Sequence, residues 1–205
     1  MGSSARTTGA VEPNPTVDAN SSQGRELVFL DACVLFPSFT RSLLLSMAVE
    51  GIYKPLWSAR VLEEWRRAIG RKHGDAAASQ AEIAAKRMER AFPNAEVPAC
   101  PDLEAQIRLP DPADAHVLAA AVEAGADVLL TFNLRDFPAR TLAAHGVEAR
   151  HPDAFLWAAF DAEDARMRAL VCGVLTEFDI PPDRARAAFK RARLSRFGKA
   201  WVAQR

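Results

Sequence analysis

The chain has 205 residues, 49% of them hydrophobic, and its 26 Lys/Arg balance 26 Asp/Glu; this suits one domain of ordinary size with a small appendage and a substantial core. Cys33, Cys100 and Cys172 are odd in number, far apart and form no Cys-x-x-Cys pair, which argues against a disulfide framework or a zinc site. No run of about 18 apolar residues reads as membrane-spanning, and the N-terminus lacks the apolar core of a secretion signal, so a soluble cytoplasmic protein without a membrane partner is expected.

Residues 1 to about 24 are rich in Ser, Thr, Asn, Gly and Pro and bury too little apolar surface to offset the entropy of ordering, so they read as a disordered leader. Leu27 to Leu30 is a continuous apolar run, as expected of a parallel strand buried on both faces, with Asp31 at its end. Residues 32–37 turn the chain, and Ser38 opens an apolar helix to Gly51. A short extended piece follows from Tyr53 to Trp57. Ser58 then caps a helix that stops near Gly70, in which Val61, Leu62, Trp65 and Ile69 form an apolar stripe. Glu64 borders that stripe while Glu63 lies farther round.

A helix from about Ala76 to Phe92 and a minimal strand at residues 95–97 come next, then a short helix from Pro101 to Ile107. The run RLPDPADAHVLAAAVEAGADVLLTFNLRDFP, residues 108–138, is the most informative. Asp111 and Pro112 form an N-cap and first helical position, placing Asp114 in the first turn. The apolar helix from Ala115 to Ala124 ends at Gly125. A buried strand from Asp127 to Phe132 then delivers Asn133 and Asp136 beyond its last residue. A helix to about His145 and a strand at residues 147–149 complete the alternation. From His151 the pattern is helical only: Ala154 to Phe160, Ala162 to Phe178, and two basic segments after Pro182. The expected architecture is an α/β domain over residues 25–150 with a central parallel sheet, plus a helical extension over 151–205. Charge divides along the same line, for residues 181–205 hold eight Lys/Arg against one Asp, leaving an acidic body. Such a tail suits a polyanion or acidic partner, or equally a solvated helix face.

In open parallel sheets, ligands bind beyond the carboxyl ends of strands. Asp31, Glu64 and Asp114 arrive there from separate segments. Two carboxylates about 4 Å apart repel by roughly 4 kcal/mol at an effective dielectric near 20, so their convergence calls for shared protons or a bound cation. Mg²⁺ or Mn²⁺ prefers such oxygen ligands and would orient a phosphodiester for attack by water. Each residue also has a structural reading: Asp31 and Asp136 as turn caps, Glu64 as a solvated helix residue, Asp114 as a helix-dipole partner. His116 points to a different helix face from Asp114 and suits packing or support. Neither a dinucleotide fingerprint nor a P-loop is present.

Asp31 at the strand end, Glu64 in LEEW, Asp114 in DPADAHVLAAA and the closing TFNLRDFP together resemble the PIN domain of VapC-type toxin ribonucleases, from about Leu27 to Ala149. The resemblance implies a three-layer α/β/α fold and a metal-dependent endoribonuclease. An antitoxin protein would cover its site, RNA would be its substrate, and a homodimer stays open. Asp31, Glu64 and Asp114 would hold the metal, and Asp136 would join them in catalysis. A fourth acidic position of many PIN domains falls on Asn133, with Asp136 three residues on as its substitute. Arg41, Asn133 and the basic residues Arg60, Arg66, Arg67, Arg71 and Lys72 would face the RNA. The alternatives are a non-catalytic RNA- or protein-binding module on the same fold and a DNA-directed PIN nuclease.

Overall fold

The computed structural model describes residues 25–203; the expected leader lies outside them. The first strand, β1 (Leu27–Leu30), leads through Asp31 into a one-turn helix α1 (Ala32–Leu35) where a turn was expected, because the Asp31 carboxylate stands as its N-cap. Next come α2 (Ser38–Val49), β2 (Lys54–Ser58) and α3 (Ala59–His73), the last capped by the Ser58 hydroxyl. The expected stop at Gly70 does not occur. A Cβ at Gly70 would come within 3.3 Å of the Ala78 Cβ, so this glycine lets α3 pack closely on α4 (Asp75–Ala91). The chain leaves α3 only at Gly74, where φ is +83°, a conformation open to glycine without steric cost.

A short strand β3 (Glu96–Val97) and α5 (Pro101–Glu104) precede a 3₁₀ turn at Pro112–Asp114, in which the Asp111 carboxylate accepts from Ala113 N at 2.9 Å. That turn opens α6 (Ala115–Glu123), buried along nearly its whole length. Then follow β4 (Val128–Leu130), a 3₁₀ turn at Leu134–Asp136, α7 (Ala139–Ala143) and β5 (Glu148–Arg150).

All the strands pair in parallel, in the order β3-β2-β1-β4-β5. Consecutive residues of a strand point to opposite faces. Val28, Phe29 and Leu30 in β1 and Val128, Leu129 and Leu130 in β4 are nonetheless all fully buried, so helices cover both faces of the sheet centre and the fold is three-layered. The chain runs outward from β1 to β3, then crosses back to place β4 on the other side of β1. The crevice between the ends of β1 and β4 is therefore the topological switch point, where parallel sheets bind ligands.

The helical extension comprises α8 (Pro152–Ala162), α9 (Asp164–Glu177), α10 (Ala185–Arg191) and α11 (Ser195–Ala203). Its core is aromatic, with Phe189 stacked edge-on against Phe197 at 5.0 Å and tilted against Trp201 at 5.8 Å. Phe39 of α2 meets Phe189 at 5.6 Å, and Tyr53 meets Phe155 at 5.2 Å; these contacts seat the extension on the α/β body. Asp153 closes the bundle, its carboxylate accepting from Arg196 N at 2.9 Å and Phe197 N at 2.8 Å at the start of α11. Among the described residues, no helix is long and apolar enough to cross a membrane.

Candidate functional site

A cleft of about 570 Å³ opens at the switch point, with Asp31, Glu64, Asp114 and Asn133 among its lining residues. Asp31 is 8% exposed. A buried carboxylate needs donors to offset lost hydration, and neighbouring side chains supply them. Oδ2 accepts from the Thr131 hydroxyl at 2.7 Å and from the Cys33 thiol at 2.8 Å. Thr131 in turn accepts from Asn133 N at 3.0 Å, and Cys33 from Phe132 N at 3.2 Å, so the ends of both central strands are tied to one carboxylate. Oδ1 has only a long contact, from Cys33 N at 3.5 Å. Burial pushes the Cys33 thiol far up from its ordinary pKa, and the Asp31 charge adds to this.

Glu64 comes from the second turn of α3 and Asp114 from the turn that opens α6. Burial raises Asp114 to about 6, with the charges of Asp31, Asp111, Asp136 and Glu64 adding to it. Glu64 is also raised, first by burial and then by Asp31, against the opposing pull of Arg60, whose guanidinium lies 3.5 Å away. His116 Nε2 is 3.0 Å from Glu64 Oε1, yet neither ring nitrogen has an aligned hydrogen bond. Burial, with the charge of Arg60, lowers His116 to about 4. The contact thus joins a neutral imidazole to a carboxylate and is not an ion pair at neutral pH, in keeping with a packing and supporting role.

Glu63, unlike Glu64, is not among the lining residues, and it binds Arg66 at 2.7 Å and Arg67 at 2.6 Å. Asp136 is not among the residues that line the cleft, though its charge acts on Asp114. Arg41 does not reach the cleft either. Its guanidinium donates to Leu35 O at 2.6 Å and lies 4.8 Å from the Trp65 ring centroid, because a long amphipathic side chain finds an apolar wall nearer than solvent. Arg60 is paired with Glu64 and Glu104, and Arg66 with Glu63 and Glu82. Of the basic residues expected on α3, Arg71 alone lines the cleft, on the same helical face as Glu64 and Ala68.

The sequence reading missed Thr131 and Cys33, and also Arg191 and Arg193, which the extension brings to the cleft wall. The signals were the polar Thr131 closing an apolar strand and the basic bias of the tail. Among the described residues, no group of at least three His, Cys, Asp or Glu side chains is drawn together as a finished metal cage. The donor chemistry nonetheless suits a hard divalent cation: all-oxygen side chains, an uncommitted Asp31 Oδ1, and carboxylates whose charges disfavour one another.

A parallel α/β domain thus carries acidic side chains at its switch point, and comparison with known families identifies its kind. The family model described as "PIN domain" matches residues 27–135, and the chain belongs to that family. A protein named "Putative ribonuclease VapC50" from Mycobacterium tuberculosis (strain ATCC 25618 / H37Rv) is 39% identical over 69 residues. That alignment covers 34% of this chain and 41% of the relative, so less than half of the relative's length is matched. No solved structure matches the chain.

Proposed function

We propose that the protein is a metal-dependent endoribonuclease of the VapC type, the toxin of a toxin–antitoxin pair acting in the cytoplasm. The observation that carries this reading is the grouping of Asp31, Glu64 and Asp114 around one cleft of a PIN domain, where burial and the charge of Asp31 raise the proton affinity of both Asp114 and Glu64. The likeness to a relative named as a ribonuclease supports it.

In this reading Asp31, Asp114 and Glu64 would hold Mg²⁺ or Mn²⁺. When bound, the cation polarises the phosphodiester and lowers the pKa of the attacking water. Thr131 and Cys33 fix the Asp31 carboxylate in place. His116 buttresses Glu64 from the buried side. Asp136 deepens the negative field behind Asp114, and Asn133 offers a neutral amide to the RNA. Attack by water leaves a 5′-phosphate and a 3′-hydroxyl, and an antitoxin inhibits by covering the cleft.

Asn133 in place of a fourth acid, with Arg191 and Arg193 of the basic tail in the same cleft, favours a second reading, a non-catalytic RNA- or protein-binding module on the same fold. The two part on one experiment: incubate RNA with wild type and with folded Asp31→Asn protein, in Mg²⁺, Mn²⁺ or EDTA, and map the ends formed. The nuclease reading requires ends that appear with wild type in metal and vanish with EDTA or the substitution. Equal cutting by Asp31→Asn overturns it, and binding without any new ends supports the module. Matched DNA in the same tubes tests the DNA-directed alternative.

A further inference from the structure

The acidic cleft has a basic wall. Arg71 from α3, Arg191 from the last turn of α10 and Arg193 from the turn after it line the same cavity as Asp31, Glu64 and Asp114. Opposite charges so close would ordinarily pair, yet among the described residues no ion pair joins these arginines to those carboxylates. The charges that act on Asp114 are all acidic, and those that lower Glu64 come from Arg60 and Arg67. Arg71 and Arg191 make no ion pair or side-chain hydrogen bond with any described residue. The guanidiniums and carboxylates therefore face each other across a gap that a group bearing its own negative charge can fill.

The backbone at Arg193 gives a second, independent observation. Helix α10 ends in a Schellman motif: Leu194 N donates to Phe189 O at 2.8 Å and Arg193 N to Lys190 O at 3.1 Å. The residue between these bonds and the helix must turn left-handed, and glycine usually stands there. Here it is Arg193, with φ +62°. Among the described residues the other non-glycine residue of positive φ is Asp179, a type that tolerates this region, whereas arginine has no short polar side chain to support it. The strained arginine is held by a specific seat, with its guanidinium 4.7 Å from the Phe132 ring centroid and donating to Phe132 O at 3.3 Å. Phe132 is the residue between Thr131 and Asn133, so this cation is anchored directly to the strand end that holds Asp31. Strain kept at a cleft points to a use there.

We infer that Arg191 and Arg193 of the helical extension form a phosphate-binding arm of the cleft, gripping the backbone of single-stranded RNA beside the bond that the carboxylates address. The inference rests on the ribonuclease reading for its substrate. Guanidinium groups match phosphate oxygens in two-pronged fashion. An arm that touches only the backbone gives register and affinity without reading bases.

The test uses the full chain and a fluorescein-labelled single-stranded RNA of randomised sequence. Binding is followed by anisotropy in EDTA across a salt series, cleavage is followed in Mn²⁺, and unfolding is followed in urea. The variants are Arg193→Gly, Arg191→Ala and the double substitution. Each single change should weaken binding about tenfold, the scale of one lost charge-assisted contact. Each should also flatten the log–log salt dependence by about 0.7. Arg193→Gly should leave the urea midpoint unchanged or raise it, since glycine suits the left-handed position. Unchanged binding and salt slope in the double variant overturns the proposal. Weaker binding accompanied by a lowered urea midpoint in Arg193→Gly also overturns it, because loss of packing would then explain the effect. If wild type binds RNA in EDTA but cuts none in metal, the nuclease reading fails while the binding data still decide the arm. If wild type neither binds nor cuts, both fail.

Discussion

Thr131 donates its hydroxyl proton to Asp31 Oδ2 over 2.7 Å, joining the ends of the two central strands at the floor of the cleft. The same oxygen accepts from Asn133 N, so one buried hydroxyl is both a donor to the carboxylate and an acceptor for the loop beyond it. Thr131→Val keeps the shape and removes both bonds. With an N–H left unmatched and the carboxylate short of a donor, it should cost about 1–3 kcal/mol in urea unfolding. Thr131→Ser should recover most of the loss. A valine variant with the wild-type midpoint would show that these bonds carry no stability.

Asp114 is an acid held where its charge is unwelcome. Its pKa is raised to about 6 by burial and neighbouring carboxylates, above the ordinary value of about 3.9. For a carboxyl group the sign follows directly. The ionised form costs folding free energy fully above pH ~6, and the cost disappears below the unfolded-state value. Asp114→Asn should therefore raise stability at pH 8 in EDTA by on the order of 1 kcal/mol, discounted for partial solvent access, or a Tm rise of about 2–4 °C. The gain should vanish near pH 4. Added Mn²⁺ should raise the Tm of wild type more than that of the variant; an equal rise in both would remove Asp114 from the cation's ligands.

Two glycines predict opposite outcomes for one substitution. A Cβ at Gly198 in α11 would lie 2.6 Å from the Phe189 Cβ, whereas nothing lies within 4 Å of a Cβ at Gly173 in α9. Gly198→Ala overpacks the aromatic centre of the extension and should destabilise by about 1–3 kcal/mol. Gly173→Ala gains helix propensity and should stabilise by about 0.5–1 kcal/mol. Thermal unfolding of both variants checks the pair, and a shared sign would contradict the close α10–α11 contact.

His151 caps α8 with Nδ1 accepting from Asp153 N at 3.1 Å, and its ring meets Phe132 edge-on at 5.1 Å. Burial, then the charge of Arg193, lowers its pKa. The unfolded chain thus takes up a proton before the folded one. Stability from this group is fully present above about pH 6.5 and is lost as pH falls from there through the folded value. His151→Asn retains a capping side chain without the titration. Its urea midpoint should fall less steeply than wild type between neutral and mildly acidic pH; parallel curves would sink the assignment.

Much of the α/β body was legible because its signals are local. Leu27 to Leu30 and the core of residues 127–132 are unbroken apolar runs, and only strands covered on both faces need them. Ser58 and Asp111 announced their helices. The misses share a different cause. Thr131 and Cys33 matter through contacts with Asp31, and Thr131 is distant from it in sequence. Gly70 looked like a stop because sequence spacing does not show that α4 folds back against it. Arg41 was assigned to the cleft by charge, whereas the nearby Trp65 ring and Leu35 carbonyl decide where its side chain rests. The basic tail was visible as composition, but its return to the cleft depends on the fold of the extension.

The bond from Asp153 to the start of α11 also orders events during synthesis. The carboxylates of the cleft leave the ribosome with the α/β body, while Arg191 and Arg193 follow later with the extension that Asp153 closes. A nascent chain therefore displays the acidic half of its cleft before the basic half.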